Sequence, residues 1–168
     1  MYEFTIDTAA PKHELYRELV RSADALTAGE PDAVANMANV AALLWEYLPD
    51  VNWTGFYRVV DGDPSTGSGQ ELVLGPFQGK AACIRIALGE GVCGTAAASG
   101  ETQLVKDVHA FPGHIACDAN SASELVVPVK HDGKVIAVID LDSPSLMRFD
   151  ADDAAGIEQL ALILAGRI

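Results

Sequence analysis

The spacing of apolar residues divides the chain into a helical first third, two sets of strands separated by a short helix, and a closing helix. From Thr8 to Gly29, Leu15, Leu19, Ala23 and Leu26 recur at helical spacing. This predicts a one-stripe helix with Thr8 as N-cap, Pro11 in the first turn and Gly29 as the stop. From Pro31 to Leu48, Val34, Met37, Ala38, Ala41, Leu44, Trp45 and Leu48 predict a second helix with a wide buried face, entered through the acidic Glu30-Pro31-Asp32 and ended by Pro49. The period then changes from 3.6 to 2. VNWTGFYRVV (51–60) and ELVLGPF (71–77) read as strands joined by the loop DGDPSTGSGQ, followed by a short strand CIRIAL (83–88). GVCGTAAASG (91–100) reads as a short helix and TQLV as a strand. ELVVPVK (124–130) and KVIAVIDLDS (134–143) form a hairpin around Asp132 and Gly133, and the last helix starts at Asp150, with Ile157, Leu160, Ala161 and Leu164 facing inward.

Both hairpin connections are too short for helical crossovers. The sheet is therefore antiparallel and the class α+β, with the long helices packed on one face. At 168 residues and 17.7 kDa the chain is the size of one domain. Its net charge of −13 would repel both a phosphate backbone and an anionic membrane surface, so no nucleic-acid or membrane partner is expected. No apolar run approaches the ~20 residues of a membrane span, and MYEFTIDT lacks a signal-peptide pattern, which suits a cytoplasmic protein.

Candidate chemistry gathers between Cys83 and Cys117, which bound every cysteine in the chain. Three thiols, an odd number, suit a reducing compartment better than a disulfide framework. By the rule that a helix N-terminus lowers a thiol pKa, Cys93 is favoured as the reactive thiol. Cys117, in the aperiodic stretch 106–121 beside His114 and Asp118, has the better access. Cys83, on a strand, is by default an apolar filler. The cysteine spacings are far wider than the pairs of structural zinc sites, so no metal is expected, even with His109 and His114 nearby. No phosphate-binding glycine loop or serine-hydrolase motif is present.

Three acids lie where a sheet should be apolar. Asp140 and Asp142 share one face of their strand, and Glu124 lies on the preceding one. They form either a pocket or a solvent-facing edge, with Ala137, Ile139 and Leu141 as the core face. Hairpin parity bears on the choice. A regular two-residue turn would pair Glu124 with Leu141, whereas a three-residue loop with a bulge at Gly133, or a bulge near Pro128, would pair it with Asp140. Trp53 and Tyr57, four apart on the first strand, share a face and are either core aromatics or a pocket wall.

Taken together, NWTGFY (52–57), GPFQGKAAC (75–83), GVCG (91–94), DVHAFPGHIACD (107–118), SELVVPV (123–129), IDLDSP (139–144) and the RF that follows (148–149) resemble the free methionine-(R)-sulfoxide reductases, single-domain members of the GAF family. The resemblance implies a six-stranded antiparallel GAF-like sheet with helices packed on one face, a homodimer, no cofactor, and free L-methionine-(R)-sulfoxide as substrate, with thioredoxin as the reductant. It further implies that Cys117 attacks the sulfoxide sulfur, that Cys83 condenses with the resulting sulfenic acid, and that Cys93 is auxiliary. This displaces the preference for Cys93. Glu124, Asp140 and Asp142 would then protonate the sulfoxide oxygen and hold the substrate ammonium, with Trp53 and Tyr57 over the methyl-thioether end. Ala87 and Glu90 depart from the pattern, in the linker before Cys93. The rival expectation is a catalytically silent GAF-type sensor of a small molecule or of redox state.

Overall fold

The computed structural model describes residues 4–62, 69–115 and 118–168. Helices α1 (Lys12–Thr27) and α2 (Ala33–Tyr47) precede strands β1 (Trp53–Asp61), β2 (Gln70–Gly79) and β3 (Arg85–Ala87). Helix α3 (Gly91–Ser99), β4 (Gln103–Val105), the hairpin β5 (Ser123–His131) and β6 (Lys134–Ser143), and α4 (Ala151–Leu164) complete the chain. The six strands form one antiparallel sheet in the order β3-β2-β1-β6-β5-β4, as the short connections require.

Alternation along the central strands builds two cores. Leu125, Val127 and Val129 of β5, Ala137, Ile139 and Leu141 of β6 and Phe56 of β1 meet the buried stripes of α1, α2 and α4. Their neighbours Val126, Val138, Trp53 and Tyr57 point the other way, against α3 and the segments around β3 and β4. The three long helices therefore share one face, as expected, and the short α3 covers part of the other.

Some local expectations shift. Thr8 does not cap α1, whose N-cap is Pro11 with no side-chain cap; Asp32 caps α2 by accepting the Ala35 N–H at 2.8 Å. The buried face of α2 is carried by Met37, Val40, Ala41, Leu43 and Leu44. Val34, Ala38 and Trp45 lie on its exposed side, because the stripe is rotated by about one residue toward the sheet. α4 starts as its sequence indicates, with a capping box in which Asp150 accepts the Asp152 and Asp153 N–H groups. Its buried Asp153 accepts from the Tyr16 hydroxyl at 2.8 Å and pairs with Arg148 at 3.0 Å, tying α1 to α4. Cys83 lies just before β3 and not on it, because β3 pairs with β2 only over Arg85–Ala87. Most of the glycine-rich β1–β2 connector (63–68) lies outside the described residues.

The β5–β6 hairpin resolves the parity question by the last of the expected routes, a bulge near Pro128. Its turn is the two-residue one: Asp132 and Gly133 both have positive φ, 50° and 77°, and His131 pairs with Lys134. One extra residue then enters β6, since Lys130 pairs with Val135 but Val129 with Ala137, leaving Ile136 as the bulge. Ile136 and Ala137 consequently both pack toward the long helices. From there the register places Glu124 opposite Asp142, and Val126 opposite Asp140. A bulge near Pro128 does bring Glu124 to the acidic face, although its partner is Asp142 and not Asp140.

Candidate active site

The second face of the sheet carries a pocket under α3. Its floor is made by Trp53 and Tyr57 of β1, Glu124 of β5 and Asp140 and Asp142 of β6; its walls are residues 80–82, the start of α3, and His114, Ile115, Asp118 and Ser121. Trp53 and Tyr57 are 3% and 1% exposed and stack with ring centroids 5.9 Å apart. Phe77 stacks on the other side of Trp53, at 5.2 Å. They are core aromatics and pocket wall at once. Their polar ends have a further effect: the Trp53 indole donates to the Lys80 carbonyl at 3.0 Å and the Tyr57 hydroxyl to the Cys83 carbonyl at 2.9 Å. The two rings thereby pin both ends of the segment that carries Cys83.

Gly55, between them, permits this arrangement. A Cβ there would lie 2.4 Å from Phe77 Cβ and 2.7 Å from Trp53 Cη2, so the aromatic stack lies directly over the missing side chain.

The carboxyls form the chemical centre. Glu124 and Asp140 are each 6% exposed, and one carboxylate oxygen of each lies within 4.8 Å of the other and of the Cys93 sulfur. Burial pushes Glu124 well above its ordinary pKa, and the charge of Asp142 adds to the effect. Burial and then Glu124 raise Asp140; burial and then Asp140 raise Asp142. Three acids on one wall oppose one another's ionisation, so burial and mutual repulsion both favour their neutral forms. Cys93, also buried, is pushed well above its ordinary value by desolvation and by Asp140 and Glu124. It is a protonated donor to Asp140 and a poor nucleophile. The helix N-terminus that favoured Cys93 in the sequence is outweighed by burial among acids.

Cys83 stands half-buried at the end of the segment pinned by the aromatics. Cys117 lies outside the described residues, and its neighbours in sequence Ile115 and Asp118 both line the pocket.

Residues to which the sequence assigned no role in the site complete the rim. Asp118 accepts from the Asn120 N–H at 2.9 Å and pairs with Lys80 at 3.1 Å. Those two interactions hold its carboxyl below the ordinary value, making it the charged acid of the site. Asn52 reaches Ser121 Oγ at 3.2 Å, closing the rim across β1. His114 Nε2 is 3.6 Å from Glu124 Oε2. Burial lowers the imidazole pKa while it raises that of Glu124, so both shifts work against an ion pair. Lys80 and Asn52 lie within the stretches quoted above, but only the folded loop shows their contact with Asp118.

The GAF domain family matches residues 34–166. Free methionine-R-sulfoxide reductase of Escherichia coli is 50% identical over 149 residues, covering 89% of this chain and 86% of that protein. The chain belongs to the free methionine-R-sulfoxide reductase family of GAF-domain proteins. The family's enzyme from Saccharomyces cerevisiae is 43% identical, covering 91% of this chain and 85% of its own length. The X-ray structure of the Neisseria meningitidis member, in complex with its substrate, superimposes with a TM-score of 0.90 at 47% identity, covering 99% of this chain and 95% of that one. Among the described residues no helix is long and apolar enough to cross a membrane.

Proposed function

We propose that the protein reduces free L-methionine-(R)-sulfoxide to L-methionine. The observation that carries this reading is the buried carboxyl wall of Glu124, Asp140 and Asp142, whose pKa values are all raised, in a pocket also lined by Ile115 and Asp118. A sulfoxide sulfur accepts a thiol only as its oxygen is protonated or hydrogen-bonded, and a carboxyl kept neutral by burial supplies that proton at neutral pH. The Cys117 thiol attacks the sulfur, oxygen passes to the thiol, and methionine leaves a Cys117 sulfenic acid behind. The Cys83 thiol then displaces water from the sulfenic acid to form a disulfide. Two exchanges with the dithiol of thioredoxin return both thiols. The balance is one sulfoxide and one dithiol consumed, with methionine, water and one disulfide formed. Neither a metal nor an organic cofactor enters the scheme. Cys93 stays outside it, which agrees with its raised pKa.

Single-turnover reduction of the free sulfoxide, wild type beside Cys117→Ser, is the deciding measurement. Methionine release by the wild type alone supports the scheme; full activity in Cys117→Ser sinks it. A homodimer in a reducing cytoplasm belongs to the same reading. It accords with the exposed Val34 and Trp45 of α2, 53% and 41% accessible, and sedimentation equilibrium would test it.

A further inference from the structure

Disulfide closure must join two thiols that belong to different connections of the sheet. Cys83 stands between β2 and β3, and Cys117 belongs to the stretch between β4 and β5. Condensation breaks the S–O bond of the Cys117 sulfenic acid, forms the S–S bond and releases water; the Cys83 thiol is oxidised as the sulfenic sulfur is reduced. Its rate depends on how often the two segments meet, and a tether between them raises that frequency without touching either sulfur.

A tether of this kind lies at the pocket rim. Lys80, three residues before Cys83, places its Nζ 3.2 Å from Asp118 Oδ1 and 3.1 Å from Oδ2, and Asp118 directly follows Cys117. Each end is held from behind. The Lys80 carbonyl accepts from the Trp53 indole at 3.0 Å, and Gly79 before it, at φ 123°, sits so close to the start of β1 that a Cβ there would lie 2.7 Å from the Asn52 carbonyl oxygen. The Asp118 carboxylate is aimed by the Asn120 N–H at 2.9 Å and the Asn52 amide at 3.4 Å, and its side chain is 10% exposed. With the backbone at one end and the carboxylate at the other already fixed, only the Lys80 side chain has to be ordered, which removes part of the entropy cost that cancels an ordinary surface pair.

We infer that the Lys80–Asp118 ion pair is a latch between the two thiol-bearing segments, and that Lys80 is a positioning residue for disulfide closure. The inference rests on the reductase reading and deepens it. A sulfenic acid that waits for its partner is open to oxidation by peroxide to the irreversible sulfinic acid, so the latch guards the enzyme as well as speeding it.

The test uses wild type, Lys80→Met, which keeps the alkyl stem without the charge, and Lys80→Arg, which keeps the charge. Each reduced protein is turned over once with the free sulfoxide in the presence of dimedone, titrated until wild type yields both the Cys117 adduct and the disulfide. The partition between those products is set after methionine has been released, so a pocket-wall residue that acted only on substrate binding would not move it. Lys80→Met is expected to shift the partition toward the adduct by about two- to fivefold, the worth of a well-held surface ion pair. Lys80→Arg should match wild type, and about 1 M salt, which screens exposed charges, should bring wild type to the Lys80→Met value. A partition in Lys80→Met equal to wild type, a shift that Lys80→Arg shares, or a wild type that salt leaves unmoved overturns the latch. If no methionine is released, the reductase reading fails by itself. Equilibration of the same three proteins with glutathione then decides the latch alone, since a tether between the thiols favours the disulfide. A loss of about fivefold in Lys80→Met would raise the potential of its disulfide by about 20 mV, and potentials equal to wild type overturn the assignment.

Discussion

Glu124 on β5 stands directly opposite Asp142 on β6, and it does so because the hairpin carries one residue more than its two-residue turn allows. Without the bulge at Ile136, Glu124 would face Leu141 and its carboxyl would point into the helix-side core. Residues directly opposite in an antiparallel pair have Cβ atoms about 4.5–5.5 Å apart. At that separation the charge of Asp142 adds to the rise that burial imposes on Glu124. The hairpin thus supplies the proton-holding wall.

Glu124→Gln should separate the catalytic value of that wall from its cost. The folded-state pKa values of Glu124, Asp140 and Asp142 are raised, so the folded protein binds protons that the unfolded chain has released. Stability therefore falls as pH climbs from about 4 through the raised values, and levels off above them. Removing Glu124's charge should increase Tm at pH 7 by a few degrees, at about 2–4 °C per kcal/mol for a chain of this size, with no gain at pH 3.5. Turnover should fall about 100-fold, the usual contribution of a positioned acid. Thermal melts across pH 3–9 check the first part; a gain that persists at pH 3.5 would mean that packing, and not ionisation, is responsible.

The three cysteines should behave differently. Cys117→Ser is expected to release no methionine. Cys83→Ser should release one methionine per subunit and then stop with thioredoxin as reductant. Cys93→Ser should keep turnover within about threefold, because a thiol pushed up by burial and acids is not a nucleophile at neutral pH. Peptide mass mapping after one turnover should find Cys83 joined to Cys117; a Cys93–Cys117 link would reassign the second thiol.

Much of the fold was legible because the patterning is regular. The switch from period 3.6 to period 2 after Leu48 and the DADD start of α4 each mark an element found close to where the pattern puts it. The acidic face was legible too, since Asp140 and Asp142 interrupt an otherwise apolar strand. Other features depend on tertiary geometry. The parity of Glu124 turned on a single unpaired residue, which has no signature in the sequence of β6. The inertness of Cys93 follows from burial among acids remote in sequence, while its local context, a helix start, argues the opposite. α2 was misjudged at Val34, Ala38 and Trp45 because an apolar stripe shows that a helix has a face but not its rotation against the sheet.

Gly55→Ala tests the aromatic stack. The new methyl would press on Phe77 Cβ and Cα and on the Trp53 ring, at 2.4, 2.9 and 2.7 Å, and backbone on β2 cannot yield cheaply. Destabilisation of about 1–3 kcal/mol is expected, typical of overpacking, with a shift in Trp53 fluorescence. Since Trp53 holds Lys80 through its carbonyl, KM should rise as well. Unchanged fluorescence and KM would show that the stack does not position the 80–83 segment.

The bulge itself yields the sharpest structural prediction, through two single-residue deletions in β6. Removing Ile136 joins Val135 to Ala137, and every pair from Val129–Ala137 to Ser123–Ser143 keeps its partner and its face. The protein should fold, lose about 1–2 kcal/mol from the missing side-chain burial, and keep its carboxyl wall and most of its turnover. Removing Leu141 instead cannot be absorbed in this way, because Asp140 and Asp142 become adjacent in the strand and must point to opposite faces. One of the two acids then turns into the helix-side core or the strand register breaks, and both outcomes should abolish activity and cooperative melting. Loss of turnover in the Ile136 deletion with the fold intact would show that the bulge's added twist, and not only its parity, shapes the site.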